Sequence, residues 1–176
     1  MSAGPTLDVY WGAAYALLLT TGCVCDLRTR RIPNWLVLTI ALLGIGRALI
    51  TQPWPDGAIA SMAGLGVGLV IWLPFWLLRM MGAGDVKYFA AGAAWLGVGG
   101  AVESALLAAL AGGVVSLGYV LAREGVTLTV VRLVHGWRQP AALRQEPHNN
   151  AARRIPYALA MAAGLLLAAW RPGVLL

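Results

Sequence analysis

Residues 58–78 read AIASMAGLGVGLVIWLPFWLL, an uncharged run that sets the fold class of the whole chain. A helix crosses the hydrocarbon core of a bilayer with about 20 predominantly apolar residues, so this run is long enough to span a membrane. Lipid cannot hydrogen-bond to open backbone groups, and a segment that spans it alone must therefore be helical. The run predicts a transmembrane helix.

The same apolar character extends through the 176 residues, of which 60% are hydrophobic and 11% are charged, with a mean hydropathy of +0.75. A soluble protein carries about 25% charged residues, so this composition excludes a soluble globular domain. The sequence predicts one all-α membrane domain over residues 1–176, with six spans. Three runs are short for a full crossing, which leaves five or seven spans as alternatives. The predicted spans are 7–25, 35–50, 58–78, 88–101, 104–121 and 155–170.

The basic residues predict the orientation of these spans. Eleven of the 13 Lys and Arg residues lie in segments 26–34, 79–87 and 122–154, whereas connections 51–57 and 97–103 contain none. Lys and Arg accumulate in cytoplasmic loops, so the three basic segments are predicted to face the cytoplasm and both termini to lie outside. The net charge of +6 then reflects topology in the inner membrane and contact with lipid, and nucleic acid is not a predicted partner.

The segment 122–154 is the only long polar connection. Its part from Thr127 to Trp137 is predicted to lie along the membrane surface as a basic amphipathic segment. Residues 139–150 contain two prolines and are predicted to form a loop.

The first apolar run is interpreted as a retained span, because residues 1–27 contain no Lys or Arg and a secretory signal needs basic residues ahead of its apolar stretch. Cys23 and Cys25 are interpreted as packing residues. Together with His135 and His148 they lack the ligand spacing of a zinc site. No metal and no other cofactor is predicted.

Aromatic residues near the predicted span ends are interpreted as interfacial anchors, because amphipathic rings prefer the level of the headgroups. Glycines in the third and fifth runs have the small-residue spacing that lets helix backbones approach closely, and we expect tight packing there. The aromatic residues are Tyr10, Trp11, Trp35, Trp54, Trp76, Tyr88, Tyr119, Tyr157 and Trp170, and the small residues are Gly64, Gly66, Gly68, Gly112 and Ser116.

Two of the seven carboxylates, Asp26 and Asp85, lie at the cytoplasmic ends of the first and third predicted spans. Ionisable groups at the membrane are functional candidates by default. Two crossings separate these aspartates, so both return to the same side of the membrane and can meet. The other five carboxylates are interpreted as solvated groups at outer ends or in the long connection, namely Asp8, Asp56, Glu103, Glu124 and Glu146.

Two carboxylates a few ångströms apart tend to share one proton, which is the working state of an aspartic protease. The ionised group takes a proton from a water molecule, the water attacks a peptide carbonyl, and the protonated group stabilises the oxyanion. Gly82 and Gly84, just before Asp85, permit unusual backbone conformations and the close approach of an extended peptide. These residues favour peptide hydrolysis at the cytoplasmic face.

Three motif segments resemble the type IV prepilin peptidases, intramembrane aspartic proteases with a Gly-x-Gly-Asp motif. The first motif segment is DLRTRRIPN at residues 26–34, the second is GAGDVK at 82–87, and the third is IPY at 155–157. The resemblance implies that Asp26 and Asp85 are the catalytic pair. It also implies that the substrates are prepilin or pseudopilin precursors, whose basic leader is removed at the cytoplasmic face.

The larger members of that family carry an N-terminal cytoplasmic domain with a zinc site and also methylate the new N-terminus. The present chain is expected to lack that domain and to resemble the short type that serves Flp or Tad pili. Methylation by this chain is therefore not expected. The sequence makes no prediction of the oligomeric state.

Four further residues of the first two motif segments are predicted to support the site. Lys87, the only lysine, is predicted to favour the charged form of a nearby carboxylate or to contact the substrate carbonyl, and the alternative is an interfacial anchor. Arg31 is interpreted with Arg28 and Arg30 as a topology determinant and lipid contact. Pro33 fixes φ before the second span. Asn34 is predicted to cap that helix, and the alternative is a hydrogen bond across the active face.

The alternative function is a non-enzymatic transporter or secretion-machine subunit in which the two aspartates relay protons or bind a cation. Proteins of that class place carboxylates nearer the bilayer midplane and often contain repeated halves. The sequence has neither feature, so the peptidase is the preferred interpretation.

Overall fold

The computed structural model describes residues 9–135 and 157–170, and within these ranges the chain forms six helices and no strand. The all-α prediction is therefore confirmed. The helices are α1 (Val9–Thr29), α2 (Asn34–Thr51), α3 (Asp56–Leu77), α4 (Ala83–Ala93), α5 (Gly97–His135) and α6 (Tyr157–Trp170).

Among the described residues, three helical stretches are long and apolar enough to cross a membrane, namely Asn34–Thr51, Asp56–Leu77 and Gly97–Ser116. α4 has only 11 residues. At the helical rise per residue it is about 16 Å long, roughly half the thickness of a bilayer core of about 30 Å. The polar groups at the ends of α4 therefore need partners supplied by the rest of the protein.

The boundaries of α1 and α4 differ from the prediction, and both differences concern the aspartates. α1 continues to Thr29, so Asp26 lies within a helix rather than after one. α4 begins at Ala83, where the sequence predicted a connection up to residue 87. The polar residues 26–29 continue the helical backbone of α1, and Gly82 is an extended N-cap residue from which α4 starts.

The connection between α4 and α5 also falls earlier than predicted. The turn is closed by hydrogen bonds from Trp95 N–H to Gly92 and from Leu96 N–H to Ala93, and Gly97 follows with a φ of +71°. A left-handed residue at this point favours glycine.

α5 runs without interruption through the predicted break at 102–103 and as far as His135. Glu103 consequently lies inside a helix and is 4% exposed, so its interpretation as a solvated turn residue is wrong. The segment 122–135 contains no proline to stop the helix, so the first part of the predicted polar connection is helical. Residues 136–156 lie outside the described residues.

The chain divides into two compact units. The first unit extends over Met1–Gly112 and Pro156–Leu176 and contains α1 to α4, the beginning of α5, and α6. The second unit, Gly113–Ile155, contains the remainder of α5. Both aspartates belong to the first unit.

α4 packs closely against α3 in the core of the first unit. A Cβ atom on Gly64 would lie 2.6 Å from the Ala93 carbonyl oxygen, and one on Gly68 would lie 2.8 Å from the Ala93 Cβ. The expected tight packing is confirmed at these two glycines. Tight packing is not confirmed at Gly66, because a Cβ there would have no atom within 4 Å.

Candidate active site

Asp85 lies in the first turn of α4, where its carboxylate accepts a hydrogen bond at 3.3 Å from the backbone N–H of Gly82. The N-terminal end of a helix carries partial positive charge, which favours a carboxylate at this position. A Cβ on Gly82 would lie 3.2 Å from Asp85 Oδ2. Glycine at position 82 thus leaves space directly beside the carboxylate.

Gly84 brings the first and second motif segments together. A Cβ on Gly84 would lie 3.8 Å from the Cβ of Ile32 and 4.0 Å from its backbone nitrogen. Ile32 is buried between the ends of α1 and α2. The connection that follows Asp26 therefore packs against the helical turn that carries Asp85.

Tyr88 links the helices that carry the two aspartates. Its hydroxyl donates a hydrogen bond at 2.6 Å to the carbonyl of Leu19 in α1 and lies 3.9 Å from the thiol of Cys23. Its ring fills a notch at Gly22, where a Cβ would clash with the ring. Tyr88 follows Asp85 by three residues and Cys23 precedes Asp26 by three, so each aspartate lies one helical turn from this contact.

The third motif segment approaches the same place. Ile155 and Pro156 lie outside the described residues, but Tyr157 begins α6. The carbonyl of the next residue, Ala158, accepts a hydrogen bond at 3.5 Å from the Cys23 thiol. Cys23 is buried, as expected for a packing residue, and it joins α1 to both α4 and α6.

Both aspartates are partly accessible, since each is intermediate in exposure. The cationic side chains of the first two motif segments are exposed, among them Arg31 and Lys87. A partly solvated carboxylate at each helix end is accessible both to water and to a peptide.

Side chains from three other helices hold the far end of α4. The Tyr15 hydroxyl donates to the Gly92 carbonyl at 3.0 Å, the Ser61 hydroxyl to Ala94 at 2.8 Å, and Arg47 Nη1 to Trp95 at 3.2 Å. The last carbonyls of a helix have no partner within it, and these bonds supply partners. In return, the Trp95 indole N–H donates to the Ile40 carbonyl at 2.8 Å.

The sequence prediction missed Arg47 and misinterpreted Tyr88. Arg47 is 4% exposed inside the apolar α2. A single arginine within an apolar span indicates a structural or functional role, and this signal could have identified it. Tyr88 is fully buried, so its interpretation as an interfacial anchor is wrong. The notch at Gly22 draws its ring into the helix interface instead of to the headgroups.

The start of α2 is only partly as predicted. Pro33 is the N-cap residue, with φ −64° and ψ 135°, so its role in fixing the backbone before α2 is confirmed. Asn34 is exposed, and α2 has no side-chain cap hydrogen bond, so the predicted cap is wrong. The reason is positional, because Asn34 is already the first helical residue and a capping side chain has to come from the residue before it.

Comparison with known proteins finds related sequences. A prepilin leader peptidase/N-methyltransferase from Aeromonas salmonicida (strain A449) is 35% identical over 131 residues, which is 68% of this chain and 44% of that protein. Proteins of the same name from Aeromonas hydrophila and Pectobacterium carotovorum subsp. carotovorum are each 34% identical, over 131 and 119 residues. They match 68% and 61% of this chain and 44% and 40% of their own lengths. No solved structure matches the chain.

The chain spans less than half the length of the curated relatives it matches. The family model for the type IV leader peptidase family matches residues 13–117, a range that contains both aspartates, both glycines before Asp85, and the Tyr88 contact with α1. The family model covers more than half of the sequence, and the chain therefore belongs to the type IV leader peptidase family.

Proposed function

We propose that this chain is an intramembrane aspartic endopeptidase that removes the basic leader from prepilin or pseudopilin precursors. Membership of the type IV leader peptidase family supports the substrate class. The observation that carries the proposal is the packing of the Asp85 turn against the connection after Asp26, at Gly84 and Ile32. That packing brings the two carboxylate-bearing segments to one end of the helix pair.

In the proposed mechanism Asp26 and Asp85 share one proton. The ionised carboxylate accepts a proton from a water molecule, and the hydroxide so formed attacks the scissile carbonyl. The protonated carboxyl donates a hydrogen bond to the developing oxyanion. Collapse of the tetrahedral intermediate breaks the C–N bond, the leaving amine takes a proton from the pair, and the product carboxylic acid then ionises.

The proposed topology places this site at the cytoplasmic face of the inner membrane, with six crossings and both termini outside. The exposed cations at the aspartate-bearing end support it, because Lys and Arg concentrate on the cytoplasmic side. Two of them, Arg30 and Arg79, adopt left-handed backbone conformations with φ of 52° and 58°, one after α1 and one after α3. A cation at a helix C-terminus also complements the negative end of the helix dipole.

We further propose that the chain cleaves its substrates without methylating the new N-terminus. We also propose that these substrates belong to Flp- or Tad-type pili. The names of the relatives include N-methyltransferase. Mass spectrometry of the matured substrate tests this part, because methylation adds 14 Da per methyl group. A product with an unmodified N-terminus is expected, and a methylated product made by this chain alone would contradict it.

The main test is co-expression with a matching pilin precursor. Asp26→Asn and Asp85→Asn keep the size of each side chain and remove its titratable group, so each variant should lose cleavage by at least about 10³-fold. Membrane insertion should be unchanged. Asp56→Asn is the matched control, because Asp56 is exposed in the first turn of α3, and it should cleave normally. Normal processing by either site variant would overturn the mechanism.

A further inference from the structure

We propose that Tyr88 is the positioning residue that sets the separation of Asp26 and Asp85, through the hydrogen bond from its hydroxyl to the Leu19 carbonyl. The inference rests on the proposed peptidase function and deepens it. Tyr88 touches neither substrate nor water in this role. It acts by fixing the first turn of α4 against the last turns of α1.

The contacts of Tyr88 confine it more tightly than packing alone would. The side chain is fully buried, its ring lies in the Gly22 notch, and its hydroxyl has both Leu19 and Cys23 as neighbours. A hydrogen bond is directional, so this one fixes how far α4 can slide along α1. Apolar contact at a glycine notch allows small sliding movements that a bond of 2.6 Å does not.

The position of the contact makes it relevant to the carboxylates. Asp85 lies one turn before Tyr88 on α4, and Asp26 lies about two turns after Leu19 on α1. Two carboxylates share a proton only at a separation of a few ångströms. A misplacement of about 1 Å between reacting groups can cost about 100-fold in rate, so loss of this bond should affect the chemical step.

The same helix pair provides a matched control. Tyr15 on α1 is also fully buried, and its hydroxyl donates to the Gly92 carbonyl on α4. The two tyrosines make the same kind of bond across the same interface in opposite directions. Tyr88 makes it at Leu19, nearer the aspartates, and Tyr15 makes it about one helical turn earlier on α1 and one turn later on α4. Any effect of a lost buried hydroxyl on stability alone should be similar for the two.

The experiment compares Tyr88→Phe with Tyr15→Phe in the full-length protein, purified in lipid nanodiscs with a prepilin substrate. For Tyr88→Phe we expect kcat to fall at least about tenfold with KM within about twofold, because binding is kept and the reacting geometry is lost. For Tyr15→Phe we expect kcat within about threefold of the wild type. Rates are normalised to the folded fraction, and both variants should lower the melting temperature by similar amounts.

Equal kcat values for the two variants would overturn the proposal, as would a loss at Tyr88 that lies entirely in KM. Cys23→Ala is the second variant, because it removes the other neighbour of the hydroxyl and keeps the Leu19 bond. It should leave kcat within about twofold, and a tenfold loss would refute the assignment to Leu19. Failure of the proposed function is distinguishable, since the wild type would then not cleave the substrate, or would cleave it without either aspartate.

Discussion

At the residue scale, the two glycines before Asp85 serve different purposes. Gly82 is closely packed against the Asp85 carboxylate, because a Cβ there would lie 3.2 Å from Oδ2 and the carboxylate would have to shift slightly. Gly84 is not, because the nearest atom to its Cβ would be 3.8 Å away, which is ordinary contact. Alanine would therefore fit the fold at position 84, and in the proposed function the space there admits the substrate backbone.

This difference predicts that Gly84→Ala separates stability from activity. Alanine stabilises a helix by roughly 0.5–1 kcal/mol relative to glycine, so the variant should melt at the same or a higher temperature. Its kcat/KM should fall at least about tenfold, because the added methyl group blocks the peptide. Thermal melting and initial cleavage rates measure the two effects.

Gly66→Ala is the control for this experiment. Gly66 lies in α3 with nothing within 4 Å of its Cβ position, so the substitution should give the same gain in stability with unchanged cleavage. Unchanged cleavage by Gly84→Ala as well would show that position 84 is not an approach surface.

Sequence reasoning found the carboxylates and glycines at this scale because their chemistry is rare in apolar segments. It misplaced Tyr88 because periodicity does not reveal which aromatic ring faces a notch on a distant helix. The notch at Gly22 is a property of two segments folded together. Asn34 was misassigned for a smaller reason, a helix start one residue earlier than predicted.

At the scale of the element, α4 is a short helix, and side chains from other helices stabilise its C-terminal end. Ser61 is 1% exposed, and its hydroxyl donates a hydrogen bond to the Ala94 carbonyl. Ser61→Ala should lower the free energy of unfolding by about 1–3 kcal/mol, because the substitution leaves a buried carbonyl short of a partner. Unfolding in mixed micelles measures the change.

Thr20→Ala is the appropriate comparison for Ser61→Ala. The Thr20 hydroxyl is exposed and bonds back to Ala16 within α1, so its loss should change the free energy of unfolding by about 0.5 kcal/mol or less. Equal effects for the two variants would contradict the view that α4 depends on partners from other helices.

Hydropathy predicted the six helices seen in residues 9–135 and 157–170, but it did not predict the ends of α4. Residues 88–101 are continuously apolar, so hydropathy placed a helix across a stretch that contains the turn at Trp95 and Leu96. The turn forms because its polar backbone groups find partners in α2 and α3, through Arg47 and Ser61. Hydropathy of a single segment carries no information about such partners.

At the scale of the whole molecule, the distribution of exposed cations predicts the orientation in the membrane. In a cysteine-free background, Arg79→Cys should react with an impermeant maleimide only after the cytoplasmic side is opened. Trp54→Cys should react in intact spheroplasts, because Trp54 is 79% exposed in the connection between α2 and α3. The reverse pattern of labelling would invert the topology and place the aspartates outside.

The length of α4 has a consequence for how such a protein can be controlled. Loss of one hydrogen bond at its far end, as in Tyr15→Phe, leaves α4 held by Ser61 and Arg47. A group inserted beside Trp95 would instead push this short helix along its axis toward Asp85, roughly 15 Å away. Compounds that wedge between Arg47 and the Trp95 carbonyl would disable the carboxylates from a distance. Resistance to them would arise in α2 and α3, among residues that no peptide ever meets.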